Sequence, residues 1–286
     1  MTSALDCVCV RRSIGRRVRY SACALITALA LAGTAVTASA TPSGASPGPF
    51  ASSVMRSYLL RRGGNITAAV DDLTTGQIFV YRPGVREYTA SIVKASILAT
   101  LLHRKQLEHA SLTANERRTA TGMIEASDNN DATALWNEDD GSRGVAAFLR
   151  LAGLRQTTFD PGGAWGYTRT TPLDQVTLLR TLALPNRLLS RSAQAYELGL
   201  MSHVIPFDYW GVPAGVPAGV PVAIKNGWLP VPGLDWQINS IGDITGRGEH
   251  YLIAVMANDN PTEGYGISSI EGIARIIWKD LAPVII

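Results

Sequence analysis

The sequence predicts an α/β protein of the segregated α+β kind, with one antiparallel sheet built from both ends of the chain and a helical lobe inserted between them. Three observations carry this. Strand patterns rich in β-branched and aromatic residues are concentrated before about residue 90 and after about residue 220. Between them, apolar residues recur at helical spacing in one run after another. The first of these runs, Ser91 to Leu102, is apolar on nearly every side, as expected of a helix buried at the centre of a protein.

The chain opens on a segment to be set apart from the fold. Arg11, Arg12, Arg16, Arg17 and Arg19 form a positive stretch and an apolar run follows from Ala22 to Val36. Ala38-Ser39-Ala40 then has the small-x-small form of a cleavage site, so residues 1–40 read as an export signal with cleavage near Ala40. The apolar run falls short of the roughly 20 residues that a spanning helix needs, so no stable membrane anchor is expected after cleavage, and a secreted or extracytoplasmic location is. The Arg16-Arg17 pair leaves both a general and a twin-arginine route open.

Setting this segment aside changes the overall balance. It holds five of the 26 basic and one of the 23 acidic residues, leaving 21 against 22, so the formal net charge of +3 carries no message about nucleic acid, and none is expected as a partner. All three cysteines (Cys7, Cys9, Cys23) lie in it as well, which excludes a disulfide framework, a cysteine nucleophile and a thiolate metal site from the mature chain. The four histidines are scattered without ligand spacing, so neither a metal nor any other cofactor is expected. A monomer is expected.

Residues 41–49, rich in Ser, Gly and Pro, form a flexible lead-in to a catalytic domain over 50–286. Its sheet lobe takes about 50–90 and 205–286, and its helical lobe about 91–204. Phe50, Val54, Tyr58 and Leu59 mark a helix that Gly63-Gly64 ends. Ile66 to Val70 and Gln77 to Tyr81 flank a polar turn as a hairpin. Helices follow at 113–127, 131–136, 144–151 and 172–184, then strands at 220–225, 235–243 and 251–257, and a closing amphipathic helix at 268–281. The Gly-Val-Pro-Ala repeat at 211–221 is a loop leading into the first late strand, because proline is excluded from central strands. Asn65-Ile66-Thr67 matches a glycosylation acceptor but is given no role.

Three short segments carry the chemistry. Ser91 and Lys94 stand three residues apart, which on a helix puts both on one face. A serine hydroxyl attacks only when a base takes its proton. A lysine is such a base only when burial or a neighbouring cation lowers its pKa, and the apolar flanks supply burial. Of 26 basic residues only four are lysines, and two of these, Lys94 and Lys225, fall in the candidate segments. Arginine cannot give up its proton at working pH, so a position that shuttles one must be lysine. Taken alone, the pair also fits a capped helix with a lysine reaching the surface.

Ser127-Asp128-Asn129 is the second segment. It reads either as a helix cap or as a site in which Ser127 passes a proton to a leaving group and Asn129 bonds a substrate amide. In the third, Lys225-Asn226-Gly227-Trp228, a cation beside a glycine on a strand edge can hold a carboxylate while a substrate lies along the strand. The N–H groups of Trp228 and Ser91 would then form an oxyanion hole.

Together, Ser-x-x-Lys, Ser-Asp-Asn and Lys-[Thr/Ser]-Gly, in this order and at roughly this spacing, resemble the motif set of class A β-lactamases and penicillin-binding DD-peptidases. Tyr88-Thr89-Ala90, Thr170-Thr171-Pro172 and Asn239-Ser240-Ile241-Gly242 extend the resemblance from about residue 50 to the end. It implies the fold of those enzymes and attack by Ser91 on a strained or peptide-like amide to give an acyl-enzyme. Lys94 would be the base and Ser127 the proton relay, with Asn129, Lys225, Asn226, Gly227 and Trp228 at the substrate.

Two departures bear on function. Asn226 stands where the family has a hydroxyl residue, which changes carboxylate recognition. The loop glutamate by which class A β-lactamases activate the deacylating water has no counterpart, since no glutamate lies between Gly141 and Tyr196. Asp160, beside proline and glycines, reads as a turn residue. The expectation is therefore a β-lactam or related amide hydrolase that acylates but deacylates slowly, unlike an efficient antibiotic-resistance enzyme. A DD-peptidase-like or other acyl-serine hydrolase acting on cell-wall peptides or esters is the alternative, and a binding protein without turnover is the third reading.

Overall fold

The computed structural model describes residues 48–281; the export segment, its cleavage site and the lead-in as far as residue 47 lie outside the described residues. Along the chain come α1 Ser53–Leu60, β1 Asn65–Asp72, β2 Gln77–Tyr81, β3 Glu87–Tyr88, α2 Val93–Leu107, α3 Ala114–Glu125, α4 Asn129–Glu138, α5 Gly141–Leu151, β4 Arg169–Thr170, α6 Pro172–Ala183, α7 Arg191–Met201, β5 Val222–Val231, β6 Asp235–Gly246, β7 Glu249–Asn260 and α8 Glu263–Leu281. Five strands form one antiparallel sheet in the order β2-β1-β7-β6-β5, and β3 pairs with β4 apart from it.

Strand periodicity explains how the sheet divides the interior. Successive side chains on a strand point to opposite faces. On β7, Leu252, Ala254 and Met256 join a core shared with α2 to α7, while Ile253, Val255 and Ala257 join a second core shared with α1 and α8. A strand covered on both faces must be apolar at nearly every position, as the central β7 is. Its two neighbours join the chain's ends: β1 lies on one side, in register from Asn65 opposite Asn258, and β6 on the other. The β1–β2 turn is fixed by Asp72, whose carboxylate accepts from Thr74 N at 2.9 Å, Thr75 N at 3.1 Å and Thr75 Oγ1 at 2.6 Å, with Gly76 at φ 74°.

β5 runs on to Val231, well past the strand end expected near Lys225. Pro230 is tolerated there because β5 is an edge strand and has no partner on its outer side. The short strands β3 and β4 carry no periodic signal and are absent from the sequence prediction.

Helix α7 was not expected either. Its inward face carries Gln194 and Glu197 beside Met201, so polar residues stand where the apolar stripe would be. Gln194 Nε2 donates to Thr181 O at 2.9 Å and Leu184 O at 2.6 Å. Glu197 is fully buried and neither carboxylate oxygen has a hydrogen-bond partner, so burial drives its pKa well above the carboxylate range. The folded state thus holds a proton that the unfolded chain releases above its ordinary pKa, and the site costs more stability as pH rises. Glu197→Met is expected to stabilise the protein by about 1–3 kcal/mol at neutral pH. Thermal unfolding at pH 7.5 and pH 4.5 checks this, with the gain shrinking at the lower pH.

Candidate active site

The nucleophile segment is held by backbone geometry. Ser91 lies in a 3₁₀ turn, Ala90–Ile92, that feeds α2, and not in the first turn of α2 itself. Ala90 adopts φ 47°, a left-handed conformation that costs a non-glycine residue about 1–2 kcal/mol. Surrounding bonds hold it there: Thr89 N donates to Thr168 O at 2.8 Å, and the buried Asn239 Nδ2 donates to Tyr88 O at 2.8 Å and Thr89 O at 3.0 Å. Asn239 is a positioning residue that no motif singles out by role.

Helix α2 is buried from Val93 to Leu102 on every side, and this carries Lys94 out of water at 0% exposure. Its Nζ donates to Ser127 O at 2.5 Å, Ser127 Oγ at 3.1 Å and Asn129 Oδ1 at 2.8 Å. Ser91 Oγ is not among these partners, so proton transfer from it needs the amine to turn from one of them. Burial, then the charge of Lys225, lower the Lys94 pKa to about 7, against the pull of Asp128 and Asp208.

The second segment forms the helix cap and also brings Ser127 and Asn129 to Lys94. Asp128 caps α4, its carboxylate accepting from Asp131 N at 2.8 Å. Ser127, left-handed at φ 53°, and Asn129 turn toward Lys94 on either side of that cap. Asn129 Oδ1 is occupied by Lys94, and Asn129 also lines the cavity over Ser91.

Strand parity places the third segment. Lys225 and Gly227 are in phase with Ala223, which packs in the α2-side core, whereas Asn226 and Trp228 are in phase with Val222 and Ile224 of the other core. Lys225, also 0% exposed, donates to Ser127 Oγ at 3.0 Å and Asn226 O at 2.9 Å. Burial lowers its pKa to about 8. Two lysines therefore occupy the lone pairs of the Ser127 hydroxyl, and its single hydrogen is left to be given away. Gly227 lets β5 approach the nucleophile turn: a Cβ there would lie 2.6 Å from Ser91 N, 2.8 Å from Ile92 N and 2.9 Å from Thr89 O.

Asn226, expected at the substrate, is 1% exposed and donates its amide to Asp208 O at 2.7 Å and Trp210 O at 2.9 Å, on the face away from Lys94. The sequence reading also passed over Asp208. This buried carboxylate has no hydrogen-bond partner, its pKa raised by burial and drawn down by Lys225 and Lys94.

A cavity of about 240 Å³ opens over Ser91, lined also by Asn129, Trp165, Tyr167 and Trp228. The Lys94 ammonium lies 5.0 Å from the Trp165 ring centre. Among the described residues no carboxylate lines this cavity: Asp160 accepts from Ala164 N at 3.3 Å as a turn residue, and Asp174 is engaged by Gln156 N at 2.8 Å and Thr157 Oγ1 at 2.7 Å. A larger cavity of about 350 Å³, between α2, α3 and α7, holds none of the motif residues, and its one lysine, Lys105, is paired with Glu116 at 2.6 Å. Among the described residues, no group of three or more His, Cys, Asp or Glu side chains is placed to hold a metal ion.

The fold is that of class A β-lactamases. A crystal structure of TLA-1 extended-spectrum β-lactamase superposes with a TM-score of 0.72 at 20% identity, over 80% of this chain and 96% of that one. A β-lactamase from Chitinophaga pinensis does so at 0.70 and 19%, over 78% and 96%. The profile of the family described as "Beta-lactamase enzyme family" matches residues 110–281, and the chain belongs to that family. A relative from Mycobacterium tuberculosis, named "Putative lipoprotein LppW", is 27% identical over 202 residues, 68% of this chain. The match spans 63% of that relative's length.

Proposed function

We propose that the protein is a serine hydrolase that forms an acyl-enzyme on Ser91 with β-lactams or related amides and releases it slowly. One observation carries this reading: a fully buried lysine with a pKa near 7, one helical turn after Ser91 and bonded to Ser127. Lys94 takes the proton of Ser91 as the hydroxyl oxygen bonds to the acyl carbon. The N–H groups of Ser91 and Trp228 stabilise the oxyanion, and Ser127 delivers the proton to the leaving group. Lys225 stays charged, holding Ser127 in place and keeping Lys94 short of its proton. An export signal and a relative named as a lipoprotein support a location outside the cytoplasm.

Release is slow because the loop presents Trp165 to Lys94 where a water-activating carboxylate would be needed. Loss of one general base costs about 10²- to 10⁴-fold in the step it serves. Intact-mass measurement during exposure to a penicillin tests this, with a persistent adduct on Ser91 as the expected result. Rapid hydrolysis without an adduct removes the slow step. Failure of a fluorophosphonate probe to label Ser91 removes the nucleophile. The same absence of a carboxylate suits a DD-peptidase-like transfer, in which an amine replaces water, and a D-Ala-D-Ala peptide assay beside a chromogenic cephalosporin separates the two.

The pH dependence follows from the two lysines. Acylation needs Lys94 neutral, so its rate rises as pH passes about 7. It needs Lys225 charged, so the rate falls as pH passes about 8. A bell with limbs near these values is expected in stopped-flow acylation, and a flat profile from pH 6 to 9 contradicts the assignment.

A further inference from the structure

The cleft wall has a chemical character that the motifs do not foretell. Among the described residues, none that lines the cavity over Ser91 is charged. The two lysines of the site are fully buried and turn their amines to Ser127, Asn129 and the backbone. The amide of Asn226, in the strand position next to Lys225, is spent on two backbone carbonyls behind the sheet. Arg169, close by, stacks on Tyr88 with 5.0 Å to the ring centre and donates to Arg86 O at 2.8 Å, outside the cavity.

The β5 side of the cleft is instead aromatic. Trp228 lines it, with Phe207 edge-on at 6.1 Å and Trp210 at 6.0 Å between ring centres. Phe207 is 71% exposed, so a second ring stands open to solvent beside Trp228. A carboxylate entering here would leave water for ring faces that carry negative charge, with no direct cation to meet it. A flat uncharged group would bury apolar area at no such cost.

We infer that the natural acyl donor is uncharged on its leaving-group side and carries an aromatic or flat apolar group there, seated on Trp228 and Phe207. This rests on the acyl-serine reading and, because β-lactams and D-Ala-D-Ala peptides carry a carboxylate on that side, makes an ester the natural donor and a penicillin only a surrogate acylating agent. For an aryl ester, Ser91 Oγ bonds to the carbonyl carbon and the carbon–phenoxy oxygen bond breaks with its electron pair on the departing oxygen. The serine proton passes to Lys94 and reaches the phenoxide through Ser127. Water later hydrolyses the acyl-enzyme to a carboxylic acid and free serine.

Two esters of phenylacetylglycine test the inference, the phenyl ester and the 3-carboxyphenyl ester. Their leaving groups are close in basicity and differ in charge. Binding to Ser91→Ala protein, read by tryptophan fluorescence, is expected to favour the neutral ester at least 10-fold, and its wild-type acylation rate to exceed the other's by a similar factor. Phe207→Arg, which sets a cation on the wall, is expected to close most of that gap. Equal or tighter binding of the carboxylated ester, or no binding of either, overturns the inference. Discrimination by the Ser91→Ala protein without labelling of Ser91 in the wild type sinks the acyl-enzyme reading and leaves the ligand preference standing.

Discussion

Lys94→Met is expected to lower the rate of Ser91 acylation by about 10²- to 10⁴-fold and to make the protein more stable. The first effect removes the base. Methionine fills a similar volume but accepts no proton. The second follows from desolvation. An ammonium taken from water into the α2 core costs more than an apolar chain of equal size, and this cost is expected to outweigh the loss of its hydrogen bonds to Ser127 and Asn129. The sign with pH is definite: below about pH 7 the lysine is charged in both folded and unfolded states and the penalty is complete. Above that value the folded form sheds its proton before the unfolded chain does, so the wild type recovers stability as pH rises. Calorimetry at pH 6 and pH 9 is expected to show the larger advantage for Lys94→Met at pH 6. A variant less stable than wild type at both values contradicts the account.

Gly227→Ala is expected to cost about 10²- to 10³-fold in acylation, the magnitude associated with losing an oxyanion donor. The added methyl meets backbone atoms of Ser91, Ile92 and Thr89, all within 2.9 Å. These cannot swing aside as a side chain would, because Asn239 pins Tyr88 and Thr89 from behind. Strand β5 must retreat, and with it the Trp228 N–H that the proposed oxyanion hole pairs with Ser91 N–H. Overpacking of this kind also costs about 1–3 kcal/mol of stability. Acylation kinetics at a temperature where circular dichroism shows the variant folded separate the two effects. Unchanged kinetics would show that the close approach has no part in the chemistry.

Much of this arrangement was legible in the residues. The scarcity of lysine singled out Lys94 and, less strongly, Lys225, for which a compact cation suffices, and the structure buries both. The all-round apolar run after Ser91 foretold the burial that lowers the Lys94 pKa. Other features were present and misread: strand alternation puts Lys225 and Gly227 on one face and Asn226 on the other, yet the motif was read as one contiguous contact surface. The rest had no local signature. Trp165 faces Lys94 through the path of an aperiodic loop, and Asp208 and Asn239 matter through neighbours far away in sequence. Helix α7 hid because its inner face is polar.

The sheet's connectivity also sets when this chemistry begins. Asn65 waits for Asn258 to complete the β1–β7 ladder, and Lys225 reaches Ser127 across 98 residues of chain. Pairings so distant close late in folding. During synthesis the amine of Lys94 is therefore solvated and protonated, and Ser91 is an ordinary alcohol. On the proposed mechanism, a chain truncated before β5 to β7 lacks Lys225 and the β1–β7 ladder and is expected not to acylate Ser91.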